Sequence, residues 1–156
     1  MQEIQGILFD GEFEEEIDIC WNCGSESAVL IGYNEEKDID KIECKNCNCI
    51  FIDDRKGKST IIRGNKRNWM EHLSNNLDFP FEGVVDEFQD YGSLQKGDEI
   101  IVDTIDFDDD CHGVIAKVKH GKKKYDFPIV DIAVKDKKSP CFKILDDYRT
   151  WFANCR

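Results

Sequence analysis

Two groups of residues have the types and spacing to do chemistry. The first is cysteine: Cys20 and Cys23 frame "CWNC", Cys44 and Cys47 frame "CKNC", and the whole reads C-x2-C-x20-C-x2-C. A two-residue gap lets both sulfurs of a tight turn face one ion, and two such turns close a tetrahedron of thiolates about 2.3 Å from zinc. Four sulfurs leave no open position, so this chemistry is structural. Cys49 is near enough to stand in for Cys47, which leaves the fourth ligand open between them. Disulfides or idle buried thiols are the competing readings. A thioredoxin-like redox pair fits less well, because it needs one CxxC at a helix start.

The second group is "DFDDDCHG", Asp106 to Gly113, with carboxylates at Asp106, Asp108, Asp109 and Asp110 and no basic residue inside the stretch. Such a loop is either a solvated acidic turn or a cation site. An EF-hand starting at Asp106 fails, because Cys111 stands where the turn needs glycine and Lys117 where it needs a bidentate glutamate. Calcium accepts six to eight oxygens in irregular geometry, whereas magnesium holds to an octahedron and keeps its waters. The loop therefore suits calcium better, with Asp103, Asp86, Glu87 and Asp90 as further acids within reach. The histidines give no catalytic arrangement: His72, His112 and His120 fall in a helix, a loop and a turn. No enzymatic activity is expected.

The elements that must position these groups follow from periodicity. "SESAVLIGYNEEKDIDKIE" reads as strand, polar loop, strand, with "IFID" a further strand after the second cysteine pair. Together they have the outline of a zinc ribbon, which residues 16–53 resemble. A basic connector, "DDRKGKSTIIRGNKR", follows, anchored by Ile61 and Ile62, and a boundary near Asn65 divides the chain into regions 1–64 and 65–156. Trp69, Met70, Leu73 and Leu77 mark a helical face stopped by Pro80. "FEGVVDEF", "EIIVDTI", "GVIAKVKH", "KYDF" and "IVDIAV" read as short strands separated by turns. Ile144, Leu145, Tyr148, Trp151 and Phe152 form the apolar stripe of a closing helix. The expected fold is mainly β with flanking helices (α+β): a zinc-ribbon module, then a small bent β-sheet or SH3-like barrel. Trp69 and Trp151 lie in their helices' apolar stripes and belong to the core, not to a ligand box.

Composition bounds the function classes. The 156 residues carry a formal net charge of −12, from 33 acidic and 21 basic side chains, and 40% are hydrophobic. The hydrophobic content supports a core, and the charge argues against broad nucleic-acid or anionic-membrane binding. No apolar run approaches the roughly 18 residues of a membrane helix, and the first residues lack a signal-peptide pattern, so a soluble cytoplasmic protein is expected. Five of eight cysteines lie between Cys20 and Cys49, which under reducing conditions favours metal over disulfides.

The second region also resembles a known family. "LDFPFEGVVDEFQ", "LQKGDEIIV", "GVIAKVKHGKKKYDFPIVDIAV", "KKSP" and "DYRTWFAN" are similar to the small acidic calcium-binding proteins of the cyanobacterial CcbP type, over about residues 68–156. The resemblance implies a compact β-rich domain that binds calcium through clustered carboxylates and catalyses nothing. It carries no individual ligand across, and it stops short of the cysteine region. The expected function is a calcium-binding buffer or regulator with structural zinc, its partners being the metal ions. The alternative is a zinc-ribbon nucleic-acid adaptor, for which "RKGKSTIIRGNKR" and "KVKHGKKK" supply charge but no interleaved aromatics for base stacking.

Overall fold

The computed structural model describes residues 2–4, 7–9, 15–54 and 58–155. Residues 55–57 of the basic connector lie outside the described residues. The chain divides into two compact units, Met1–Arg67 with Asn154–Arg156, and Asn68–Ala153. It is mainly β, with two helices.

In the first unit, β1 (Gln2–Ile4) and β2 (Ile7–Phe9) form an antiparallel hairpin. A five-stranded antiparallel meander follows: β3 (Glu15–Asp18), β4 (Ala28–Asn34), β5 (Ile39–Cys44), β6 (Ile50–Asp53) and β7 (Ser59–Arg63). Strands β4 to β6 are those that the hydrophobic pattern predicts, and Ile61 and Ile62 sit on edge strand β7. The main core cluster here contains Cys20, Cys23, Ala28, Ile42, Cys44 and Phe51, with Trp21, Leu30, Cys47 and Ile61 packed against it. Three of its six buried members are cysteines, so sulfur atoms occupy much of that cluster.

The second unit opens with α1 (Trp69–Asn76), whose Asn68 cap accepts a hydrogen bond from the Glu71 amide at 3.1 Å. The helix ends before Leu77, three residues short of the proline stop. Leu77 is already extended, and its side chain is buried in the core. Next come β8 (Phe81–Val85), β9 (Glu99–Asp109), β10 (Gly113–His120) and β11 (Lys123–Pro128). A 3-10 turn at Ile129–Asp131 precedes β12 (Ile132–Val134), which returns beside β8, and α2 (Pro140–Cys155) closes the chain.

The strand order is β11-β10-β9-β8-β12, antiparallel throughout. This is an open sheet. Of the two expected forms, the sheet is present and the barrel is not, because no described pairing joins β11 to β12. Val85, Val102, Val114, Val118 and Ile132 alternate inward beneath Leu73, Leu145 and Tyr148. Burying such aliphatic side chains stabilises by about 1.5–3 kcal/mol each. Trp69 is buried and Trp151 packs against the same cluster, with ring centroids 5.6 Å apart.

Candidate metal centres

The turns after β3 and β5 bring Cys20, Cys23, Cys44 and Cys47 together, with all four sulfurs within 4.8 Å of one another. Among the described residues this is the one such group of three or more potential ligands. Cys20 and Cys47 sulfurs are 3.8 Å apart, and Cys23 and Cys44 sulfurs 3.6 Å. Neither distance is a disulfide, and all eight cysteines are free. A tetrahedron with bonds of about 2.3 Å has edges of about 3.8 Å, so the sulfur spacing fits a tetrathiolate zinc site.

The surroundings supply hydrogen bonds to the sulfurs. The amides of Asn22 and Cys23 donate to Cys20 Sγ at 3.3 and 3.4 Å, and those of Asn46 and Cys47 to Cys44 Sγ at 3.4 Å each. Ser25 Oγ lies 3.2 Å from Cys23 Sγ. Hydrogen bonding within the cluster divides the protons unevenly: Cys20 holds Cys23 down, while Cys23 pushes Cys20 up. A divalent cation removes that competition by letting every sulfur stay ionised. Cys49 is buried but lies outside the group, and its sulfur takes a bond from Asn22 Nδ2 at 3.3 Å.

The acidic stretch differs from the loop expected. Strand β9 runs through it to Asp109, because Phe107, Asp108 and Asp109 pair with Ile115, Val114 and Gly113. The turn is only Asp110 to His112. Within β9 the register slips twice, leaving Asp103 and Asp106 opposite no residue of β10. These two carboxylates face lysines of the neighbouring strand. Lys119 Nζ is 3.6 Å from Asp103, and Lys117 Nζ is 3.5 Å from Asp106 and 3.7 Å from Asp126. The counter-charge missing from the stretch thus comes from across the sheet. Asp109 Oδ1 accepts from the amides of Cys111 and His112, both at 2.8 Å, and lies 3.1 Å from His112 Nδ1. The His112 amide, then the Cys111 amide, holds its carboxyl below the usual carboxylate range. Asp108 and Asp110 are exposed. Asp86 pairs with Arg149 at 3.0 Å, and Glu87 lies 3.9 Å from the same guanidinium.

A groove of about 490 Å³ lies beside the turn. His112 lines it together with Glu87, Asp90, Asp126, Asp131 and Phe88. Burial, joined by the nearby Glu87 charge, pushes the Asp131 carboxyl up, against a 3.4 Å hydrogen bond from Gln89 Nε2. Asp126 and Asp131 are acids that the reading by charge density passed over. Asp131 had a signal of its own, a lone carboxylate inside the apolar run "PIVDIAV". The other histidines bond locally: His120 Nδ1 is 2.9 Å from the Glu99 carbonyl, and His72 Nδ1 is 3.3 Å from Asn76 Nδ2.

A family model described as calcium binding, of the CcbP type, matches residues 62–152. A solved structure, the crystal structure of Anabaena CcbP, matches with 24% identity and a TM-score of 0.45, over 55% of this chain and 71% of that one. No curated protein matches the chain. No helix is long and apolar enough to cross a membrane.

Proposed function

Since this chain belongs to the CcbP-type calcium-binding family, we propose that it acts as a non-enzymatic calcium buffer or calcium-responsive regulator carrying a structural zinc ion. The observation that carries the reading is the family match over residues 62–152, which contain both the acidic end of β9 and the acid-lined groove. Calcium is taken up where these two features meet, by Asp108 and Asp109 at the end of β9, by Asp110 of the turn, and by Glu87 and Asp131 from the groove. Support for this placement is that His112 belongs to the turn and also lines the groove. Asp103, Asp106 and Asp86, engaged by Lys119, Lys117 and Arg149, contribute charge more than ligation. The affinity expected is on the order of 10⁻⁶ to 10⁻⁴ M, in the sensor and weak-buffer range.

Zinc is held by Cys20, Cys23, Cys44 and Cys47. When bound it cross-links the two turns, and the match between sulfur spacing and tetrahedron edge supports this choice of ion.

Calorimetric titration with calcium tests the main reading. The parent should bind with a magnesium-resistant affinity, and Asp108→Asn with Asp110→Asn, or Glu87→Gln with Asp131→Asn, should each weaken it at least tenfold. A parent that takes up no calcium refutes the function. Unchanged binding in both double variants refutes the placement.

A further inference from the structure

The two cysteine pairs share a residue as well as a spacing. Each reads Cys-x-Asn-Cys, with Asn22 before Cys23 and Asn46 before Cys47. In the structure each carboxamide crosses to the other pair. Asn22 Nδ2 donates to Cys47 Sγ at 3.7 Å, and Asn46 Nδ2 donates to Cys23 Sγ at 3.5 Å. The backbone amides of each turn meanwhile serve the first cysteine of their own pair, Cys20 or Cys44. The donors are therefore divided: main chain to the first sulfur at home, side chain to the last sulfur opposite.

Four thiolates around a divalent ion leave a net charge of −2, and N–H donors to sulfur spread that charge and fix where each sulfur points. We propose, resting on the zinc reading above, that Asn22 and Asn46 are a reciprocal pair of positioning residues for the metal, each orienting the last thiolate of the opposite turn.

The two are not equivalent. Asn46 is exposed and its side chain can be changed without disturbing a core. Asn22 is 4% exposed, and its Oδ1 accepts from the Arg67 amide at 2.8 Å. Its Nδ2 also reaches Cys49 Sγ at 3.3 Å and the Asn65 carbonyl at 3.1 Å. An amide nitrogen has two protons to share among these acceptors and Cys47. Asn22 therefore links the sulfur cluster to the end of the connector, whereas the Asn46 carboxamide donates to Cys23 Sγ.

The test uses the full chain with zinc affinity measured by chelator competition, and with cobalt in place of zinc as a spectroscopic probe. Asn46→Ala removes the donor, and Asn46→Asp keeps the shape but puts an acceptor and a charge against a thiolate. If the role is positioning, affinity falls in the order parent, Asn46→Ala, Asn46→Asp, and the sulfur-to-cobalt charge-transfer band shifts progressively in the same order. A merely steric role gives the reverse, with the shape-preserving Asp variant nearer the parent, and overturns the proposal. Asn22→Asp should lose about 10–100-fold in zinc affinity, while its retained Oδ1 can still accept from Arg67. Parent-like affinity and spectra in all three variants sink this inference alone. A parent chain that takes up no zinc sinks the zinc reading with it.

Discussion

Replacing Gly113 with alanine should be costly, and the cost can be worked out from two separate causes. Gly113 follows the acidic turn with φ +73°, a left-handed conformation that costs a residue with a Cβ about 1–2 kcal/mol. The added Cβ would also meet Tyr148 Oη at 2.5 Å and Phe152 Cε2 at 2.6 Å. Tyr148 is 1% exposed and cannot step aside, so overpacking adds about 1–3 kcal/mol. The total is about 2–5 kcal/mol. Gly121 is the control: its φ is +62°, and a Cβ there meets nothing within 4 Å. Gly121→Ala should cost only the backbone share, about 1–2 kcal/mol. In a domain of this size each kcal/mol moves Tm by about 4–8 °C, so Gly113→Ala should melt at least about 4 °C below Gly121→Ala. Thermal unfolding followed by circular dichroism measures both. Equal losses would refute the packing of α2 over the turn.

Four further outcomes are expected. Tyr148→Phe strands the Val114 amide, which donates to the Tyr148 hydroxyl at 3.0 Å, and should cost about 1–3 kcal/mol in urea unfolding without changing zinc content. Asp131 has its folded pKa raised by burial, so its ionisation opposes folding above that pKa; the penalty shrinks as pH falls through it and is gone below the unfolded value. Free of calcium, Asp131→Asn should therefore be more stable than the parent at pH 7, with the gap closing in acid, as paired thermal melts across pH in chelator will show. Lys117→Met frees Asp106 and Asp126, and should lower calcium-free stability by no more than about 1 kcal/mol while tightening calcium in titration. Cys44→Ser should abolish stoichiometric zinc by metal analysis and loosen the first unit, whose main core contains Cys20, Cys23 and Cys44.

The sequence was most legible where spacing is set by local geometry. The CxxC turns need only neighbouring residues to aim two sulfurs. Strands β4 to β6 and those of the second region follow from their runs of Val, Ile and Phe, whereas β1 to β3 are too short or too polar to stand out. The mainly β fold with two helices followed from those runs and from two apolar stripes. What did not show was anything decided across the sheet. Nothing in "DFDDDCHG" reveals that Asp108 and Asp109 pair with Val114 and Gly113, which turns most of a presumed loop into strand. Nor does it reveal that Lys117 and Lys119 reach back to Asp106 and Asp103. Asp131 lies 18 or more positions from the acidic stretch, so charge density along the chain could not join them; only the return of β12 beside β8 places it by the groove. Nor could spacing alone separate Cys47 from Cys49; the fold brings Cys47 Sγ within 4.8 Å of the other three sulfurs and leaves Cys49 outside that group.

One contact described above makes the second unit its own optical gauge. Tyr148 bonds the first residues of β10 through its hydroxyl, and its ring lies 5.3 Å from that of Trp69 and 6.1 Å from that of Trp151. A shift of the acidic turn must move that hydroxyl, and with it the setting of two indoles whose emission depends on their surroundings. The remaining tryptophan, Trp21, belongs to the cysteine unit, where it packs against Phe51 at 6.0 Å. The chain therefore carries one set of fluorophores beside each candidate ion. With excitation at the red edge of tryptophan absorption, where tyrosine does not absorb, a Trp21→Phe variant reports calcium through Trp69 and Trp151. In the parent, Trp21 adds a reporter that packs against the sulfur cluster. Neither ion then needs an attached dye to be followed.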